Sequence, residues 1–223
     1  MRPEKKRSPC AVACVVRSKD AQGPSILAAG GIYHVTARGN RRAHIFRCEQ
    51  DLVLFLRFLS LAADRHGWRC WAYCLLPNHF HLVLETPLPN LSLGMQWLNG
   101  TYASWFNDRH GLTGHVFQGR FHAVLVETDS HALELARYVV LNPVRAGLCE
   151  YPGEWRWSSY AGTVGTGPSG AFVAVERLLE YFGSDQSQAR RTYRAFVGEG
   201  MFGAAMSGVR PGTWPFGRLY PKP

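Results

Sequence analysis

"WRCWAYCLLPNHFHLVLE", residues 68–85, is the stretch from which the fold is read. Its two halves are rich in aromatic and aliphatic residues, and Pro77 and Asn78 separate them, so it reads as two strands joined by a tight turn. Side chains alternate across a strand. His79, His81, Val83 and Glu85 therefore share one face, and Phe80, Leu82 and Leu84 share the other.

Working outward, Asp51 to His66 reads as a helix, because Leu52, Phe55, Leu56, Leu59 and Ala63 recur at helical spacing and Gly67 can end it. Ahead of it, "IYHVTARG" from Ile32 alternates as a strand, with Ile32, His34 and Thr36 on one face, and "GNRRAHIF" makes a basic turn. After "PLPN" a second helix carries Leu91, Met95, Leu98, Tyr102, Trp105 and Phe106, and a strand from His122 to Glu127 follows "GHVFQGRF". The order β-α-β-β-α-β predicts an α+β fold. It is the ferredoxin-like or RRM-like split βαβ plan, an antiparallel sheet with helices on one face and the other face available. A third helix is expected from about Asp129, as N-cap, to Leu141, with Pro143 limiting it.

Three segments are expected. Residues 1–30 form a basic arm without periodicity, 31–160 the main domain, and 161–223 a linker with a small helical extension. In that extension, 161–170 reads as the Gly/Ser/Pro linker, "VAVERLLEYFG" and "QARRTYRAFV" as two short helices, and 199–223 as irregular.

Twenty-five Lys and Arg against sixteen Asp and Glu give a net charge of +9, which favours a polyanionic partner and makes nucleic acid the first to consider. Six cysteines in a chain of this size need not be staples, and reduced thiols are expected. The C-x-x-x-C pairs Cys10/Cys14 and Cys70/Cys74 are not read as zinc sites. The apolar run Cys10 to Val16 meets charge without a cleavage site, and no stretch approaches the ~20 apolar residues of a membrane span, so a cytoplasmic protein is expected.

Two imidazoles on one strand face, roughly 7 Å apart at their backbones, suit a divalent ion. A polar sheet face that happens to carry histidines is the other reading. On the third helix, Tyr138 and Asn142 lie one turn apart and share a face, so Asn142 could add an oxygen ligand and Tyr138 a hydroxyl beside it. A half-buried packing role is the plain alternative for that tyrosine.

"YHVTARGNRRAHIF", "AYCLLPNHFHLVLETP", "LNGTYASWFNDRHGLTGHVFQGRF" and "ELARYVVLNPVRAGL" resemble, in this order and spacing, the single-tyrosine transposases of the HUH nuclease superfamily, most of all the bacterial REP-associated tyrosine transposases. The resemblance covers residues 31–160 strongly and continues more weakly to about 200. It implies that His79 and His81 are the metal-binding pair, with Asn142 joining them, and that Tyr138 is the nucleophile. It also implies Mg²⁺ or Mn²⁺ as cofactor, single-stranded or hairpin DNA as partner, and a 5′-phosphotyrosine intermediate. Either a monomer or a homodimer is compatible with it. The segment before Gly30 and the end after 200 depart from the family pattern.

Arg38, Arg41, Arg42, Arg120, Arg137 and Arg145 are the candidate DNA contacts, and Tyr73, Phe117, Phe121, Trp155 and Trp157 the candidate stacking residues. Two other readings stand beside this one. A non-catalytic RRM-like module would want stacking aromatics that "HFHLVLE" lacks. A zinc hydrolase would want a further ligand, for which Glu85 is the only carboxylate on the His79/His81 strand face.

Overall fold

The computed structural model describes residues 29–206, with side chains to residue 201. The expected basic arm and the Cys10/Cys14 pair lie outside the described residues, apart from residues 29 and 30, as does the chain after 206.

Four strands form one antiparallel sheet: β1 (Gly31–Arg38), β2 (Arg69–Leu76), β3 (His79–Thr86) and β4 (His122–Val126), in the order β2-β3-β1-β4. This is the α+β split βαβ plan that the sequence predicts. Helices α1 (Glu49–His66) and α2 (Leu91–His110) pack on the face that carries Phe80, where the Phe55 and Phe80 rings lie 4.7 Å apart and Tyr102 meets Phe55 at 5.1 Å. Gly67 and Gly111 end the two helices in the left-handed conformation.

The opposite face is not left open. Helix α3 (Asp129–Arg145) crosses it, packing chiefly on β2 and β3. Its N-cap is Thr128 rather than Asp129: the Thr128 hydroxyl accepts from the His131 N–H at 3.2 Å. Pro143 does not stop it either. The Asn142 side-chain amide donates to the carbonyls of Tyr138 at 3.0 Å and Val139 at 3.4 Å, and the latter is the carbonyl that Pro143, lacking an N–H, leaves unserved. The helix therefore runs four residues beyond Leu141.

Between α3 and residue 206 the described chain carries more regular structure than the sequence predicts. The stretch read as a linker opens within α4 (Tyr160–Val164), where Tyr160, Gly162, Thr163 and Val164 are buried. After α5 (Val175–Leu179), α6 (Gln186–Met206) continues as helix well past residue 199. The outer edge of β2 is covered by this part of the chain: Leu75 donates to the carbonyl of Trp157 at 2.9 Å, and Ala174 to that of Cys70 at 2.8 Å. Among the described residues, no helix is long and apolar enough to cross a membrane.

Candidate active site

Strand register assembles the site. In the β1/β3 pairing, Thr36 lies opposite His81 and Arg38 opposite His79, and His34 stands one pair further along on the same face. His122 of β4 lies opposite Thr36 and joins that face. The rings of His79 and His81 are 5.1 Å apart between centroids. His34 stacks on His81 at 5.2 Å, with its Nε2 at 3.0 Å from Nδ1 of His81.

Helix α3 brings Tyr138 to these rings edge-on, 5.8 Å from His81 and 6.1 Å from His34. Arg145, two turns on, lies over the tyrosine ring at 4.8 Å, a cation–π contact worth about 0.5–1 kcal/mol where exposed. Asn142 stands one turn from Tyr138, its amide directed at the helix carbonyls and its side chain hydrogen-bonded toward the phenol.

Burial sets the protonation states. Removed from water, an imidazolium is disfavoured, and the pKa values of His34 and His79 fall to about 4. His81, fully enclosed and near the charges of His34, His79 and Arg38, is likewise held well below the ordinary imidazole value, chiefly by burial. All three are neutral at pH 7, so each retains a nitrogen lone pair. Burial raises the Tyr138 phenol above its usual range, opposed by the charge of Arg145, the Asn142 hydrogen bond and the charge of Arg38. The phenol is protonated at rest.

Of the residues picked out in the sequence, His79, His81, Tyr138 and Arg145 come together, and the charge of Arg38 reaches both histidines and the phenol. Arg41 and Arg42 are exposed in the turn after β1, and Arg120 is exposed in the loop before β4. The two loops are joined: Asn40 donates to the Val116 carbonyl and Gln118 to that of Arg38, at 2.8 and 2.9 Å. Arg137 faces the protein instead, over the Phe196 ring at 4.3 Å, bonded to its carbonyl at 3.2 Å and paired with Glu134.

Tyr73 and Phe117 are buried, and Trp155 is tied through its indole N–H to the Leu75 carbonyl at 3.0 Å. Phe121 and Trp157 are partly buried against the core.

His34 is the residue that reading the strands singly misses. The signal was available: it shares the alternation of β1, and antiparallel pairing of β1 with β3 brings it beside the histidine pair.

The arrangement speaks against both alternatives. The sheet face on which an RRM-like module would stack bases is covered by α3. Glu85 sits at the far end of β3 from His79, roughly 20 Å along the strand. There it accepts from Arg69 at 2.8 Å and Trp71 at 3.0 Å. Among the described residues, no group of three or more His, Cys, Asp and Glu side chains has the arrangement of a metal centre. A divalent ion held here would draw on the two neutral imidazoles of His79 and His81, with oxygen donors from a substrate or Asn142. Neutral nitrogen with open positions for oxygen fits such an ion.

A profile of the family described as transposase IS200 like matches residues 29–142, just over half of the chain. A Haemophilus influenzae protein bearing the name of a REP-associated tyrosine transposase is 22% identical over 142 residues, 59% of this chain and 80% of that protein. A solved structure of a REP-associated tyrosine transposase bound to a REP hairpin is similar with a TM-score of 0.54 at 19% identity, covering 66% of this chain and 87% of the other. At that identity the likeness speaks for the fold. The family match runs from the first strand through the histidine pair to Tyr138 and Asn142, and the chain belongs to the IS200-like transposases.

Proposed function

We propose that this transposase cuts and rejoins single-stranded DNA carried in a hairpin, with Tyr138 as nucleophile and a Mg²⁺ or Mn²⁺ ion held by His79 and His81, joined by Asn142. The observation that carries the reading is the meeting of Tyr138 with the His34–His81 stack under the guanidinium of Arg145. The hairpin is suggested by the similar transposase that was solved with one.

In the proposed reaction the Tyr138 phenol gives up its proton and its oxygen bonds to phosphorus, while the bond from phosphorus to the 3′-oxygen breaks and that oxygen takes up a proton. A 5′-phosphotyrosine and a free 3′-hydroxyl result. Because one ester replaces another, an incoming 3′-hydroxyl can later reverse the exchange and join strands without a further energy source. The phenol is protonated at rest, so cleavage needs stabilisation of developing charge, and a bound ion would supply it by polarising the phosphate. Arg145 over the ring and Arg38 beside the histidines favour the phenolate and would neutralise phosphate oxygens. Arg41, Arg42 and Arg120 extend that basic surface along the two joined loops. The inward contacts of Arg137 suit a tie between α3 and α6 better than a DNA contact.

The test is a covalent adduct. Labelled hairpin oligonucleotides incubated with the protein and Mn²⁺ should yield a protein–DNA species that survives denaturing electrophoresis. Tyr138→Phe should lose it while binding stays within a few-fold, and EDTA should remove the adduct without removing binding. Adduct at normal yield from Tyr138→Phe refutes the assignment.

A further inference from the structure

The tip of the β2–β3 hairpin is held more firmly than a two-residue turn requires. The turn after β1 wraps it: Gly39 donates to the Asn78 carbonyl at 2.8 Å, and Ile45 and Phe46 donate to that of Pro77 at 2.9 and 3.1 Å. To do so the chain passes through two consecutive left-handed residues that are not glycine, Arg41 at φ 52° and Arg42 at φ 61°. For a residue with a Cβ this conformation is disfavoured, because the Cβ approaches the following carbonyl oxygen. Gly39 is needed as well, since a Cβ there would lie 2.0 Å from the Ala43 carbonyl oxygen. Strain of this kind persists only where surrounding structure enforces it.

The turn brings the Arg42 carbonyl within 3.2 Å of the Asn78 side-chain nitrogen. A carbonyl only accepts, so this contact fixes which end of the Asn78 amide is nitrogen. Its oxygen then lies 2.6 Å from Nδ1 of His79. An amide oxygen also only accepts, so Nδ1 of His79 must carry the proton.

We infer that Asn78 is a positioning residue: anchored on Arg42, it holds His79 in the Nδ1–H tautomer, which leaves Nε2 as the nitrogen that can bind an ion. The inference rests on the proposed reading of His79 as a metal ligand. The same amide bonds to the basic turn and to the ring of the proposed ion site. A carboxamide in this place does what outer hydrogen-bond partners of ligating histidines do generally, fixing ring orientation and tautomer.

The experiment reads the tautomer without metal. Protein carrying ¹⁵N-labelled histidine is studied by long-range ¹H–¹⁵N correlation near neutral pH, with His79 assigned from the spectrum of His79→Gln. Wild-type His79 should show Nδ1–H. Asn78→Asp keeps an acceptor toward His79 while losing the donor toward Arg42, and should preserve that tautomer. Asn78→Ala should shift His79 toward Nε2–H.

In a parallel titration followed by Mn²⁺ electron paramagnetic resonance, Asn78→Ala should bind about 10–100-fold more weakly, with Asn78→Asp within a few-fold of wild type. An Nε2–H signal for wild-type His79 overturns the inference even if the alanine variant does not fold. So does an Nδ1–H signal that persists in Asn78→Ala. If the tautomers behave as expected and wild-type protein does not bind Mn²⁺, Asn78 still positions His79 and the ion reading is what fails.

Discussion

The carboxylate of Asp51 is fully buried near the start of α1, where burial alone would favour its uncharged form. Its Oδ2 accepts from the N–H groups of Arg47 at 2.7 Å and Cys48 at 3.1 Å, and both oxygens lie 3.1 Å from Nε2 of His110. Arg109 adds its charge at 3.6 Å. The Arg47 and Cys48 N–H groups and His110 outweigh burial and hold the pKa below its ordinary value. The carboxylate thus fastens the first turn of α1 to the last turn of α2. Because the folded pKa is depressed, the stabilisation is present above the unfolded carboxyl pKa of about 3.9 and is lost as pH falls through the folded value. Asp51→Asn, which turns an acceptor into a partial donor facing other donors, should cost about 1–3 kcal/mol at pH 7. Urea titrations at falling pH should show the gap between wild type and variant closing below pH 4. A gap that is constant across that range would mean the charge contributes nothing.

At the level of the element, α3 shows why part of the site was legible and part was not. Alternation in β3 and the four-residue spacing of Tyr138 and Asn142 are local properties, so the histidine faces and the shared helix face follow from the sequence directly. The place of His34 depends on how β1 registers against β3, and no single strand carries that information. The same holds for the end of α3: Pro143 reads locally as a stop, whereas the helix runs on to Arg145 with the Asn142 side chain serving the Val139 carbonyl. The length of α6 was hidden by its glycines. Gly200 packs closely on α3, where a Cβ would come within 2.9 Å of the side chains of both Arg137 and Leu141, a proximity that local propensity does not express. Asn142 therefore has two separable roles, one toward the helix and one toward the proposed chemistry. Asn142→Ala should destabilise by about 1 kcal/mol through the unserved carbonyl. The double variant Asn142→Ala/Pro143→Ala restores a backbone donor and should recover most of that loss in chemical denaturation, while the DNA adduct stays low in both. Recovery of the adduct in the double variant would leave Asn142 a helix residue only.

For the molecule as a whole, the sheet determines where charge accumulates. The turn after β1 and the loop before β4 meet at the end of the sheet that bears His79, so Arg38, Arg41, Arg42 and Arg120 approach it from both loops and Arg145 approaches from α3. With a net charge of +9, binding to a polyanion should be driven largely by counterion release. If about six phosphates of a single strand are neutralised, log K should fall with log salt at a slope near −4. Replacing both arginines of the strained turn tests this without wrecking it. Arg41→Gly/Arg42→Gly suits φ values of 52° and 61°, so relief of strain offsets the greater freedom of glycine in the unfolded chain, and stability should change by no more than about 1 kcal/mol per residue. Two lost phosphate contacts, leaving about four, should move the slope to about −2.8. Fluorescence anisotropy of a labelled hairpin across a salt series gives both slopes, and thermal melts of the same samples report the fold. Equal slopes for the two proteins, with melting intact, would place the phosphate path elsewhere on the surface and detach the turn from substrate binding.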